Sequence, residues 1–319
     1  MIWGLAAAHS DTRFLLFYRP NKFARSFCAA IPPNASRRLL LNEGRARGAT
    51  LFHGLNQRIS STRYRHTVST FHDLFVLSGD YSTPEFRSRF AAQAREAAAR
   101  SELIIAVSRF TASQVEQFLR VEPSRIRVIP HGVNVASSAP SLPRENLILF
   151  VGAIQSRKNV ARLIEAFERT SAEWKLTLAG APGYGAAEIL ARIQRSPRRA
   201  DIHAPGFVST ESLQRLYQTA SIFAFPSLAE GFGIPVLEAM AAGVPVITST
   251  TSALPEVAGD AALLVDPTDV DSIANALDRL MRDEALRRIM AAKGIHRAAG
   301  FTWESAVAGT WDVYKELGS

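Results

Sequence analysis

The segment Ser227–Glu238, SLAEGFGIPVLE, sets two glutamates, Glu230 and Glu238, eight residues apart around a Gly231-Phe232-Gly233 turn. An ionised carboxylate accepts strong hydrogen bonds and donates none, so both suit sugar hydroxyls. The preceding run Ile222–Phe225 reads as a buried strand, and Pro235 is a residue favoured at the first position of a helix. A strand, a glycine loop through Ile234 and a helix start together aim backbone N–H groups at the occupant of the loop, a geometry suited to phosphate. An anion cradle beside hydroxyl acceptors points to a nucleotide-sugar site. A glycine turn ahead of an ordinary core helix would share the pattern if it stood alone.

It does not stand alone. The run Gly152–Asn159, GAIQSRKN, brings a glycine and the adjacent cations Arg157 and Lys158 to a helix start, an electropositive pocket suited to a diphosphate. Thr70–Leu74 carries His72 and Asp73 at the end of an expected strand, where a histidine is a better functional candidate than elsewhere. Ala106-Val107-Ser108 is a strand end with a small hydroxyl before a helix, and Pro130–Asn134, PHGVN, closes the first half.

The elements that must position these residues follow from hydrophobic periodicity. Leu147–Val151, Leu176–Ala179, Ile202–His203, Ile222–Phe225, Val244–Thr248 and Ala262–Val265 read as strands, with helices expected at Asn159–Ser171, Ser212–Ala220, Pro235–Ala242, Val270–Arg282 and Glu284–Ala299. Ser209 or Thr210 is available to cap the second of those helices. Strands alternating with helices imply a parallel sheet covered on both faces, with ligands at the carboxyl ends of its strands. The first half is less regular. Its expected strands are Arg13–Tyr18, Thr50–Phe52, His66–Thr70, Leu103–Val107 and Ile126–Ile129, and Pro84–Ala99 is a helix with Arg87, Arg89, Arg95 and Arg100 along it. Val133–Asn146, rich in Ser, Pro and Ala, reads as the linker. Phe301–Leu317 places Trp303, Val307, Trp311 and Tyr314 on one helical face, which packs on its own domain or crosses back to staple the two.

At 319 residues the chain exceeds the size at which one core stops growing, so two domains are expected. The single cysteine, Cys28, excludes an internal disulfide framework, fits a reducing compartment and reads as a small buried side chain. No apolar run approaches the roughly 18 residues of a membrane span. The net charge of +8 is unevenly spread: residues 1–146 hold 20 Lys+Arg against 10 Asp+Glu, and residues 147–319 hold 17 against 19. A basic half suits nucleic acid, an anionic membrane or an anionic substrate. No nucleic-acid motif accompanies it. A membrane surface or phosphorylated lipid and a merely solvated arginine-rich face both remain open.

The order His72-Asp73, Ala106-Val107-Ser108, Ile129–Val133, Gly152 with Arg157-Lys158, and Glu230 to Glu238 resembles the retaining glycosyltransferases of family 4. Pro245–Ser249, Leu254–Gly259 and Ala262–Pro267 extend the likeness, which covers roughly residues 50–315. The resemblance implies an α/β GT-B fold: two Rossmann-like parallel-sheet domains facing an interdomain cleft, with the C-terminal helix crossing back to the first. The domains it implies are an acceptor-side unit over 1–140, a nucleotide-sugar unit over 141–300 and the helix over 301–319. It further implies a retaining hexosyltransferase, mannosyltransferase-like, using a sugar nucleotide such as GDP-mannose or a UDP-sugar. The acceptor would be a saccharide or lipid-linked, as in surface polysaccharide or glycolipid synthesis.

By resemblance, Arg157 and Lys158 hold the diphosphate. Glu238 accepts from the ribose. Glu230, with the amides of Phe232 and Gly233, holds the sugar, and His72 meets the sugar or its phosphate. No metal or other cofactor is expected, since the cations take its part, and no nucleic acid is a partner. The implied place is cytoplasmic, with peripheral contact to the inner face of the plasma membrane through the arginine-rich half. Family members begin with a strand, a glycine-rich loop and a helix; Met1–Ala8 looks like the end of that helix, so the strand and loop are read as missing. The alternatives are an inactive donor-binding protein or fragment, and a GT-B epimerase or phosphorylase. None of the five lysines, Lys22, Lys158, Lys175, Lys293 and Lys315, has the setting of a phosphorylase cofactor lysine.

Overall fold

The computed structural model describes residues 1–28, 30–40, 48–134, 142–171 and 173–318. Contacts divide the chain into two units. One holds Met1–Leu77, Pro84–Gly132 and Thr302–Ser319; the other holds Ser78–Thr83 and Val133–Phe301. The boundary expected at 140/141, and much of the expected linker, lies outside the described residues.

The second unit is one six-stranded parallel sheet. Its strands are β7 (Glu145–Val151), β8 (Lys175–Ala179), β9 (Ile202–Gly206), β10 (Ala220–Phe225), β11 (Val246–Ser249) and β12 (Ala262–Val265), numbered after six strands of the first unit. Their order across the sheet is β12-β11-β10-β7-β8-β9, all neighbours parallel. Chain order therefore reverses between β7 and β10, and such a switch point opens a crevice beyond the carboxyl ends of those two strands. Every residue of β10 is buried, as a strand covered on both faces requires. Phe150, Phe223 and Phe225 are fully buried, with Phe225 stacked between the other two. Gly180 closes the strand ends: its N–H donates to Gly206 O at 2.9 Å, and a Cβ there would lie 1.9 Å from Gly152 O, so only glycine fits.

One guanidinium ties the neighbouring helix ends together. Arg144 donates to Tyr217 O (2.6 Å) and Ala220 O (2.8 Å) beside the end of helix Thr210–Thr219. It also donates to Ala242 O (2.6 Å) and Gly243 O (3.1 Å) at the end of helix Ile234–Ala241. These carbonyls lack partners within the helices, and a cation there complements the helix dipole. At the other end of helix Thr210–Thr219, Ser209 Oγ accepts from Ser212 N–H at 3.2 Å.

In the first unit β3 (Leu51–Gly54), β4 (His66–Phe71), β5 (Leu103–Ala106) and β6 (Ile126–Val128) form a parallel sheet in that order. Among the described residues β1 (Phe14–Tyr18) and β2 (Ala35–Leu39) pair separately, as a two-stranded parallel sheet. The C-terminal helix Trp303–Glu316, capped by Thr302, packs Val307, Val313 and Tyr314 into one core with Leu5, Val68, Leu103, Ile105 and Ile129. Cys28 is exposed, contrary to the expectation of a buried thiol. It follows helix Pro20–Ser26, which buries none of its residues, so there is no core at that point to receive it. Among the described residues no helix is long and apolar enough to cross a membrane.

Candidate functional site

The loops after β7 and β10 meet at the switch point. After β7 the chain makes a 3-10 turn, Ser156–Lys158, and Asn159 adopts φ 59° before helix Val160–Glu168 begins. Asn159 Nδ2 donates to Pro226 O (2.9 Å) and Pro267 O (2.6 Å), fastening this turn to the loops after β10 and β12. Arg157 and Lys158 are thereby buried, at 7% and 9% exposure.

After β10, Glu230 points back at them. Its Oε1 accepts from Lys158 Nζ at 2.6 Å and Ser227 Oγ at 2.6 Å, and pairs with the Arg157 guanidinium at 3.0 Å. Arg157 also donates to Ala229 O, and the Lys158 ammonium lies 4.8 Å from the centre of the Phe225 ring. Burial alone would raise the Glu230 carboxyl. The charges of Lys158 and Arg157 and the hydrogen bonds from Lys158 and Ser227 outweigh it and hold the carboxyl below its ordinary value. The trio thus brings two cations to one carboxylate, a donor set suited to a diphosphate.

The Glu230 loop is also anchored from β11. Glu230 N–H donates to Ser252 Oγ at 3.1 Å, and Ser249 Oγ donates to Ser227 O at 2.6 Å. Gly231, Phe232 and Gly233 are all buried. Phe232 packs edge-on to Phe301 at 5.9 Å, and Gly233, at φ 104°, precedes helix Ile234–Ala241. Ile234 is the first helical residue and Pro235 the second, one place later than the sequence implied.

Glu238 stands apart from the trio's hydrogen bonds. It lies in the second turn of that helix, half-buried, and its Oε2 accepts from Tyr217 Oη at 3.0 Å. Burial raises its carboxyl above the ordinary value, against the Tyr217 hydrogen bond, which lowers it. Gly152 closes β7; its N–H donates to Ala179 O at 2.9 Å.

His72 belongs to the first unit and follows β4. Its Nε2 contacts Leu55 O at 2.8 Å and its Nδ1 contacts His131 Nε2 at 3.0 Å, with the rings stacked 14° from parallel. A carbonyl only accepts, so Nε2 of His72 carries a proton toward Leu55 O. Burial, and then the charge of His72, push His131 down to about 4, so it stays neutral. In the same unit His53 bridges Tyr314 Oη (2.6 Å) and Thr70 Oγ1 (2.8 Å). Ser227, Tyr217, Ser252 and the His53–Tyr314 pair were not singled out from sequence.

Among the described residues no three His, Cys, Asp or Glu side chains gather as a bound metal would need. The triplet Asp269-Val270-Asp271 is a helix start: Asp269 Oδ1 accepts from Asp271 N–H at 2.9 Å, and Asp271 pairs with Arg169.

Comparison with known proteins follows the same division. The family described as Glycosyl transferases group 1 matches residues 137–297, and Glycosyltransferase Family 4 matches residues 37–137. The O-antigen chain mannosyltransferase B of Escherichia coli is 32% identical over 288 residues, 84% of this chain and 74% of that protein. The MMP alpha-(1->4)-mannosyltransferase of Mycolicibacterium hassiacum is 31% identical over 246 residues, 74% of this chain but 57% of its own length. Among solved structures, the sucrose-phosphate synthase of Thermosynechococcus elongatus superposes with a TM-score of 0.81 at 21% identity, over 99% of this chain and 91% of that one. The likeness shows the fold, that of the GT-B glycosyltransferases.

Proposed function

The chain belongs to the group 1 glycosyl transferases, and we propose that it moves a mannosyl group from GDP-mannose to a saccharide or lipid-linked acceptor, with retention of anomeric configuration. The observation that carries the transferase reading is the buried Arg157–Lys158–Glu230 trio at the switch point. The choice of mannose rests on the relatives' names.

As the bond to the sugar lengthens, negative charge gathers on the departing diphosphate, and Arg157 and Lys158 stabilise it where water is excluded. Their contacts to Glu230 give way to phosphate oxygens, and Glu230 turns its freed acceptor capacity to sugar hydroxyls. The amides of Phe232 and Gly233 complete the sugar's polar contacts, with Gly231, Ile234 and Gly152 shaping the loops around it. Glu238 accepts from the ribose. The two cations supply the charge that a metal would otherwise bring, so turnover in excess chelator is expected to equal turnover without it.

The same proposal includes a peripheral contact of the arginine-rich unit with an anionic lipid surface. Arg89 and Arg95 are exposed on helix Pro84–Arg100. Sedimentation with phosphatidylglycerol but not phosphatidylcholine vesicles, reversed by salt, is the expected result.

Turnover tests the central part. GDP-mannose and UDP-glucose are supplied side by side, and the released nucleotide and the anomeric configuration of the product are followed by NMR. Consumption of GDP-mannose with the donor's configuration preserved is expected. Use of UDP-glucose alone would overturn the mannosyl assignment, and an inverted product would overturn retention.

A further inference from the structure

We infer that Tyr217 is a positioning residue for nucleotide binding: its hydroxyl holds the Glu238 carboxylate in the one orientation that offers its other oxygen to the ribose. The inference rests on the proposed role of Glu238.

Three observations carry it. First, Tyr217 Oη donates to Glu238 Oε2 at 3.0 Å, and Glu238 Oε1 has no hydrogen-bond partner among the described residues. One oxygen is therefore fixed by the protein and the other is left to accept. Second, Tyr217 is itself built in. It is 7% exposed, packed against Phe223 at 6.0 Å, and burial with the nearby Glu238 charge keeps its hydroxyl protonated and donating. Third, the two helices that carry the pair are locked together. Arg144 grips the carbonyls of Tyr217 and Ala220 on one side and of Ala242 and Gly243 on the other, so Tyr217 and Glu238 cannot drift apart by helix sliding.

A glutamate has three side-chain torsions and, unassisted, samples several carboxylate positions that must be given up on binding. A donor from a rigid buried ring removes that freedom beforehand. The tyrosine need not touch the nucleotide to act.

The experiment is calorimetric titration of wild type, Tyr217→Phe and Glu238→Ala with GDP and with 2′,3′-dideoxy-GDP, run in parallel with UDP and its dideoxy form. Tyr217→Phe keeps the ring and removes only the hydroxyl. Expected is a loss of about tenfold in affinity for the ribonucleotide, the order of the side-chain freedom that Glu238 must then give up on binding. Affinity for the dideoxy form, which has no hydroxyl for Glu238 to accept, should stay at the wild-type value. A general packing defect would weaken both ligands alike and would overturn the inference. If Glu238→Ala narrows the gap between the two ligands but Tyr217→Phe does not, the ribose role of Glu238 stands and the role of Tyr217 fails. If Glu238→Ala leaves the gap at its wild-type width, or the folded wild type binds neither base, the underlying reading fails and the inference with it.

Discussion

Glu230→Gln should separate the stability of the free protein from its affinity for a diphosphate. In the free chain Oε1 of Glu230 is the shared counter-ion of Lys158 at 2.6 Å and Arg157 at 3.0 Å. All three residues are under 10% exposed, so water compensates little for a lost partner. Removing one member of a buried ion pair costs about 3–5 kcal/mol, because the remaining charge stays buried without its partner. For a unit of this size that corresponds to a fall in melting temperature of roughly 6–20 °C.

GDP should reverse most of that loss. The substitution removes the carboxylate charge from the trio, so the diphosphate meets a more positive pocket, and a ligand at 100 times its Kd restores about 2.7 kcal/mol. The assay is thermal melting with and without GDP, followed by turnover, which should fall because a neutral amide oxygen replaces the charged acceptor offered to the sugar. A variant as stable as wild type would refute the view that the trio is an ion-pair network. A destabilised variant that GDP fails to rescue would refute the view that these cations serve a diphosphate.

Two further perturbations are informative. Burial, and then the charge of His72, push His53 down to about 3, so the unfolded chain takes up this proton first as pH falls. Stability that is intact above pH 6.5 should be lost between about 6.5 and 3, at about 1.4 kcal/mol per pH unit, and denaturant titrations of His53→Gln should show that slope reduced; an unchanged slope contradicts it. Gly233→Ala puts a Cβ at φ 104°, 2.8 Å from Leu254 Cδ2, at the start of the helix that carries Glu238. It should destabilise by about 1–3 kcal/mol; a variant that melts with the wild type would contradict it.

The buried strands were legible because β7 and β10 are near-continuous apolar runs, and a strand covered on both faces has no other signature. Strand β2, Ala35–Leu39, escaped because Arg37 and Arg38 interrupt its apolar pattern, and among the described residues it pairs on one side only. The expected helix from Asn159 begins one residue later, since Asn159 takes a left-handed turn to reach two carbonyls. At the site, Arg157, Lys158, Glu230 and Glu238 could be named from residue type and position. The pairing of the cations with Glu230 could not, because it joins residues 72 apart through strand order, which no local pattern encodes. Tyr217 was hidden for a related reason: it reads as one apolar position of an amphipathic helix until the next helix brings Glu238 to its hydroxyl.

The most direct test of the account is titration of the folded chain with GDP, UDP and ADP, repeated with Lys158→Met. The account predicts that GDP binds, with displacement of the Glu230–Lys158 pair, and that the substitution abolishes binding while circular dichroism shows the fold retained. Binding that survives Lys158→Met undiminished, or a folded wild type that binds no nucleotide, would contradict it.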